Sequence, residues 1–164
     1  MKKRLLLLFF ALLVIFPLSS CQMRSTPPYF NFRSREFRAE ITGTLHGIAF
    51  GAELWLTGTG DECELYIKYL SPTSLAGICI EQEPDGTCRL SRDGIEYETD
   101  KEALAGLLLP LSLLWESDEI LRVQKTAQGT ELYLDNDLSI VIGDAGYPTY
   151  LESPSLTFST VWWD

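Results

Sequence analysis

The stretch Phe37–Thr57 reads FRAEITGTLHGIAFGAELWLT and decides how the rest of the chain is interpreted. Apolar side chains recur at every second position on both sides of His46-Gly47, which is typical of strands that bury one face. His46-Gly47 is therefore predicted to be the turn of an antiparallel hairpin. The apolar positions of the two strands are Phe37, Ala39, Ile41, Gly43 and Leu45, then Phe50, Ala52, Leu54 and Leu56.

The same alternation continues along most of the chain, interrupted by turn signals. Glu83-Pro84-Asp85-Gly86 fits a type I turn followed by a glycine bulge, and Asp93-Gly94 is a tight hairpin signal. With the hairpin above, the pattern predicts about eleven short strands. The further strands are predicted at 63–69, 77–83, 87–92, 95–99, 121–125, 131–134, 138–142, 147–151 and 156–162.

One segment breaks the strand pattern. Thr99-Asp100-Lys101-Glu102 has the form of a capping box, and Ala103–Trp115 is apolar at nearly every position, so a helix is predicted there. Pro110 lies inside it and removes one backbone hydrogen bond, which predicts a kink or a break into two short helices.

These elements predict a mainly β fold with one helical region, an α+β domain. A sheet of about eleven antiparallel strands normally curls, and an apolar helix is an economical cover for its concave face. We therefore expect a curved antiparallel half-barrel with the helix on its concave side. The helix is more apolar than packing on one sheet face requires. It is either simply buried core or the lining or lid of a lipophilic cavity, for which the candidate residues are Leu107, Leu109, Leu111 and Leu114.

The N-terminus has the composition of an export signal. Lys2, Lys3 and Arg4 precede the apolar run Leu5–Phe16, which is shorter than the roughly 20 residues of a membrane-spanning helix. Leu18-Ser19-Ser20-Cys21 resembles the lipobox of bacterial lipoproteins, which implies cleavage before Cys21 and its modification with diacylglycerol. Residues 1–20 are thus predicted to be a signal peptide. The mature chain is expected outside the cytoplasm, anchored through Cys21 to the cell membrane, or to the outer membrane of a Gram-negative host.

Charge excludes one class of partner. The predicted signal peptide holds three of the 13 basic residues and none of the 23 acidic ones, which leaves 10 basic residues and a net charge of −13. Such a chain repels phosphate backbones, so nucleic acid is not expected to bind.

Residues 21–35, which include Pro27 and Pro28, are predicted to be the lipidated end and a short tether. Residues 36–164 are predicted to form a single domain.

Three features together resemble the LolA-like lipoproteins. Leu70–Ile78, LSPTSLAGI, is similar to their "SP..L.GI" stretch, and Gly146–Glu152, GYPTYLE, to their "G.P..I" entry into the final strands. The third is the order of a strand meander, a helix after a short hairpin, and further strands, over roughly residues 37–162. The family includes LolA, LolB, RseB and GerS, and it implies an incomplete half-barrel that often holds acyl chains. This chain lacks an N-terminal helix and is itself predicted to be lipidated, which favours a fixed receptor or partner-binding role over shuttling.

The sequence offers no catalytic or metal-binding constellation. His46 is the single histidine and sits in a predicted turn, and no serine lies in a nucleophile-elbow pattern. Asp135-Asn136-Asp137 lacks the downstream residues of a calcium loop and is predicted to be a turn. We therefore expect no enzymatic activity, no cofactor and no metal.

Three cysteines remain beyond Cys21. The predicted bulged turn places Gln82 opposite Cys88 and Cys79 opposite Ser91, so Cys79 and Cys88 face opposite sides of the sheet and are not expected to pair. Cys63 shares the alternation of the apolar positions and is predicted to be a small core residue.

Two functions stay open at this stage. In the first, the half-barrel encloses a hydrophobic ligand such as a lipid or a lipoprotein acyl chain. In the second, the core is closed and the domain binds an envelope or spore protein without any small ligand.

Overall fold

The structure is a computed structural model, and it describes residues 28–57, 64–116 and 119–164. The predicted signal peptide, Cys21 and Cys63 lie outside these ranges. The strands are β1 Phe37–Leu45, β2 Ile48–Thr57, β3 Glu64–Ser71, β4 Cys79–Gln82, β5 Thr87–Arg92, β6 Ile95–Asp100, β7 Ile120–Thr126, β8 Gly129–Leu134, β9 Ser139–Ile142, β10 Pro148–Glu152 and β11 Leu156–Trp163. The helical elements are the 3-10 helices Pro28–Ser34 and Lys101–Leu104 and the α-helix α1, Ala105–Glu116.

All eleven strands belong to one antiparallel sheet, as the alternation predicts. Their order is β6-β5-β4-β3-β2-β1-β11-β10-β9-β8-β7, so two meanders meet where β1 pairs with β11. The sheet is not closed into a barrel, and its two edges, β6 and β7, are consecutive in the chain and joined through α1. The predicted α+β half-barrel is confirmed, and the described residues contain one α-helix, in the predicted region.

The concave face of the sheet carries the core. Along β2 and β3 the inward residues, such as Leu54 and Ile67, are fully buried, whereas their chain neighbours are more exposed. The helix lies against this face with Leu108, Leu111 and Leu114 also fully buried. Every large side chain that the described residues bury is hydrophobic, as expected when burial of apolar area drives folding.

Two turns determine the strand register as predicted. His46 and Gly47 both have positive φ, of 50° and 79°, which is the conformation of a two-residue hairpin turn. At the second turn, Gly86 has a φ of 89° and donates its N–H to the Glu83 carbonyl. Gln82 then pairs with Cys88 and Cys79 with Ser91.

The two cysteines are consequently on opposite faces of the sheet, and both are free thiols. The predicted register, with Cys79 and Cys88 on opposite faces, is confirmed.

The start of the helix differs from the predicted capping box. Strand β6 continues through Thr99 to Asp100, and the Asp100 carboxylate, not Thr99, accepts a hydrogen bond from the Ala103 N–H at 3.4 Å. A 3-10 turn intervenes before α1 begins. The cap is displaced by one residue because β6 continues to Asp100, which pairs with Thr87, and the helical turn begins only after this last strand residue.

The predicted break at Pro110 is wrong, since α1 runs uninterrupted through it. Pro110 removes the hydrogen bond to the carbonyl of Gly106, and Gly106 is exposed, so that carbonyl is not left in the core without a partner. The three buried leucines on the helix supply packing that outweighs the loss of one bond.

The segment Pro28–Ser34, predicted to belong to the tether, is packed against the fold. Phe30 and Phe32 are fully buried. The Arg33 Nε donates to the Leu114 carbonyl at 2.6 Å, near the end of α1, and Phe32 meets Trp115 edge to face at 5.8 Å. The domain boundary predicted at residue 36 therefore has to move to include this segment, because two aromatic side chains supply the apolar area that a tether lacks.

Candidate hydrophobic site

The four candidate cavity leucines do not share one cavity. Leu111 and Leu114 are 1% and 0% exposed and belong to the packed core. Leu109 is half-buried and packs against that core. Leu107, also half-buried, lines an apolar depression at the amino-terminal end of α1.

This depression lies where the β1–β2 hairpin, the loop after β3 and the start of the helix meet. Its volume is about 320 Å³, at the lower end of the range for small-molecule pockets. Ile48, on the rim of the depression, is 58% exposed to solvent. Exposure of so large an apolar side chain is unfavourable. Its lining residues are Leu45, His46, Ile48, Phe50, Leu75, Ala103, Leu104, Gly106 and Leu107.

Strand β3 holds the helix over the depression. The Tyr69 hydroxyl donates to the Leu107 carbonyl at 2.6 Å, and its ring lies 6.0 Å from that of Phe50. Burial raises the pKa of Tyr69, so the phenol stays neutral and keeps donating at physiological pH. On the other side, Leu75 is placed by a turn in which its N–H donates to the Pro72 carbonyl at 2.9 Å.

Polar chemistry is sparse around the depression. His46 contributes the one ionisable side chain of the lining, and it belongs to the hairpin turn as predicted. Apart from His46, the residues that line the depression are apolar or glycine, so the chemistry of its surface suits an apolar group better than a polar headgroup.

The convex face carries a cross-strand ladder that sequence reasoning missed. Trp55 stacks on Tyr66 at 5.2 Å, with the rings 9° apart. The Tyr66 hydroxyl lies 2.8 and 2.9 Å from carboxylate oxygens of Glu64 and Glu81, and Arg89 binds Glu81 at 3.1 Å. Burial, followed by these two carboxylates, raises the pKa of Tyr66.

These groups satisfy one another, so we interpret the ladder as sheet stabilisation. The sequence signal that could have predicted the ladder is the polar and aromatic side chains at the positions of β2 and β3 that alternate with the buried ones.

The described residues bring together no group of three His, Cys, Asp or Glu side chains able to hold a cation. Burial raises the pKa of both Cys79 and Cys88, which keeps these thiols protonated and poorly nucleophilic near neutral pH. In the same part of the chain, no helix has both the length and the apolar character needed to traverse a bilayer.

Comparison with known proteins identifies a similar fold but indicates no function. No family model matches the chain, and no curated protein is similar to it. The crystal structure of an uncharacterized conserved protein from Thermus thermophilus is similar, with a TM-score of 0.53 at 10% sequence identity over 83% of this chain and 82% of that one. That likeness shows a shared fold, and the resemblance to the LolA-like lipoproteins stays a prediction.

Proposed function

We propose that the protein is an extracytoplasmic lipoprotein, anchored through Cys21, whose depression beside Leu107 binds one hydrophobic group, such as part of a lipid or a lipoprotein acyl chain. The observation that carries the proposal is the depression itself: an apolar lining of about 320 Å³ with Ile48 exposed on its rim. Covering such a surface releases roughly 25 cal/mol for each Å² removed from water.

The location of the depression limits what it holds. The concave face of the half-barrel is occupied by α1, and its far end by Phe30 and Phe32. A ligand therefore enters beside the amino-terminal end of the helix and does not run along the sheet interior. This favours a short apolar group over a whole lipid molecule.

The filled interior also favours a second candidate, a protein-binding module. With Leu108, Leu111 and Leu114 packed to near-zero exposure, the core requires no ligand to be complete. In this alternative the depression receives an apolar side chain of an envelope or spore protein.

Gly106 provides a direct test. A side-chain carbon added to this helical residue meets no atom within 4 Å, so it projects into open space at the lining of the depression. Gly106→Trp should fill the depression and lower the affinity for a lipophilic fluorescent probe about tenfold or more, which corresponds to loss of about 1.4 kcal/mol of binding free energy. Gly106→Ala is the matched control, and it should bind probe normally while raising stability by up to about 1 kcal/mol.

Leu111→Trp separates filling a site from disturbing the core. Leu111 is buried, so the larger ring should lower the unfolding free energy by about 1–3 kcal/mol. Probe titration, thermal melts and mass spectrometry of lipid extracted from the purified protein are measured on all three variants. A parent protein that binds no probe and carries no lipid would refute the lipid ligand and favour the protein partner.

A further inference from the structure

The two edge strands of the sheet leave apolar side chains uncovered. In the part of the chain that the structure describes, β6 pairs with β5 alone and β7 with β8 alone. Seven large hydrophobic side chains are exposed there, and four of them lie on these two edges. Ile95 and Tyr97 are on β6, and Leu121 and Val123 are on β7. Exposed apolar residues thus concentrate where backbone donors and acceptors are also unpaired.

The edges carry opposite charge. Strand β6 has Glu96, Glu98 and Asp100 and no basic residue, whereas β7 has Arg122 and Lys125 and no acidic residue. No ion pair reaches these five side chains from the described residues. Sheets that use charge to prevent edge-to-edge contact need the same sign on both edges, since only then is every pairing repelled. Opposite signs attract the β6 edge of one copy to the β7 edge of another.

The direction of the strands fits such a contact. In an antiparallel sheet of eleven strands, the first and the last run the same way. A second copy that keeps its concave face on the same side therefore brings its β7 beside β6 as a parallel pair. The strands match in length, with six residues in β6 and seven in β7.

The side chains also match face by face. Tyr97 pairs with Leu90, which pairs with the buried Ile80, so Tyr97 is on the concave side. Val123 pairs with the buried Leu132 and is on the same side. An aromatic and a β-branched side chain then meet across the new strand pair, which is a favourable combination.

On the convex side the charges meet. Glu98 is opposite Arg89, within the convex ladder, and Glu96 shares its face. Arg122 lies over the Tyr133 ring at 3.9 Å, which holds its guanidinium at the convex edge of the sheet. In a two-fold pairing of β6 with its own copy, Glu96 would instead face Glu98, and such like-charged cross-strand pairs are destabilising.

We propose that two copies of this chain associate by sheet extension, β6 of one against β7 of the other. Glu96 and Glu98 then face Arg122 on the convex side, and Lys125, on the same face as Val123, adds positive charge to the β7 edge. The contact is heterologous, so each pair retains one free acidic edge and one free basic edge. Because exposed charges steer it, the association weakens as salt increases.

Charge reversal on the two edges tests the proposal. Two epitope-tagged copies of the full chain are expressed together, solubilised in a neutral detergent and co-purified through one tag. Parent copies should co-purify. Glu96→Lys with Glu98→Lys, or Arg122→Glu with Lys125→Glu, should lower co-purification about tenfold when both copies carry the same pair of changes.

Mixing provides the matched control. A copy with both edges basic and a copy with both edges acidic should co-purify with each other although neither does so with itself, and one chain carrying all four changes should regain self-association. The changed side chains are exposed, so the variants should fold, and a thermal melt of each variant tests this.

Contact through the predicted signal peptide or the depression beside Leu107 would be insensitive to these charges, so co-purification that is unchanged by reversal would overturn the proposal. Parent copies that do not co-purify, or a mixture that fails to restore association, would also overturn it.

Discussion

The junction of the two meanders should tolerate no side chain at Gly43. This residue lies in β1 opposite Phe158 of β11, the strand pair that makes one sheet from two. A Cβ built on Gly43 lies 1.9 Å from the Thr157 carbonyl oxygen and 2.6 Å from the Phe158 Cα. Both are backbone atoms, so neither is able to rotate away. Gly43→Ala is therefore expected to force the strands apart.

The expected loss of stability in Gly43→Ala follows from the distances between the added Cβ and the atoms of β11. Ordinary van der Waals contact begins at 3.4 Å, so the strands must part by about 1.5 Å at this point. Overpacking contributes about 1–3 kcal/mol, and each backbone hydrogen bond that is lost adds about 1 kcal/mol. We expect a loss of about 3 kcal/mol or more, a large part of the roughly 5–15 kcal/mol that stabilises a typical domain.

Gly51→Ala is the matched control on the neighbouring strand. There the added carbon lies 3.0 Å from the Ser71 Oγ, an exposed hydroxyl that is free to turn. The loss should stay below about 1 kcal/mol, because alanine offsets part of it by its lower entropy cost. Urea unfolding followed by tryptophan fluorescence measures both variants. Equal midpoints for the two, or a Gly43→Ala midpoint like that of the parent, would refute this account of the junction.

Three further outcomes are expected. Burial raises the pKa of Tyr69 above its ordinary value of 10.0. The stability that the neutral phenol contributes is therefore complete below pH 10.0 and is lost as the pH rises further. Tyr69→Phe should flatten this alkaline fall in the free energy of unfolding, as measured by denaturant titration. Phe32→Ala should lower the free energy of unfolding by about 3–5 kcal/mol in the same titration, whereas the same substitution in a tether would leave it unchanged. Cys21→Ala should abolish labelling by a fatty-acid analogue, and a variant that keeps the label contradicts the lipoprotein proposal.

The sequence predicts the sheet well because alternation is a local signal. Most strands bury one face, and His46, Gly47 and Gly86 adopt the positive φ that their turns require. Strand number and the cross-strand partners of Cys79 and Cys88 therefore follow from spacing alone. The helix is predicted for the same reason: its apolar run has no period of two.

The candidate site is predicted less well because it depends on where elements end in space. Periodicity shows that α1 is apolar all round, but not that Leu111 faces the sheet while Leu107 lies beyond its cover. The packing of Phe30 and Phe32 is likewise invisible, since 3-10 turns give no long periodic signal. The charge on β6 appears in the sequence simply as an acidic run, and its meaning depends on which strand forms the opposite edge of the sheet.

The way the chain enters the fold determines which way an anchored protein faces. Pro28–Ser34 contacts Leu114 and Trp115 at the carboxyl end of α1, whereas the depression is beside Leu107 near its amino end. If Cys21 is the anchor, the six residues 22–27 connect it to Pro28, and a chain of that length reaches at most about 20 Å. The carboxyl end of the helix would then point at the anchoring bilayer, and the mouth of the depression would open away from it. A ligand would reach such a protein from the aqueous compartment or from an opposing surface, and not from the membrane in which the protein itself is embedded.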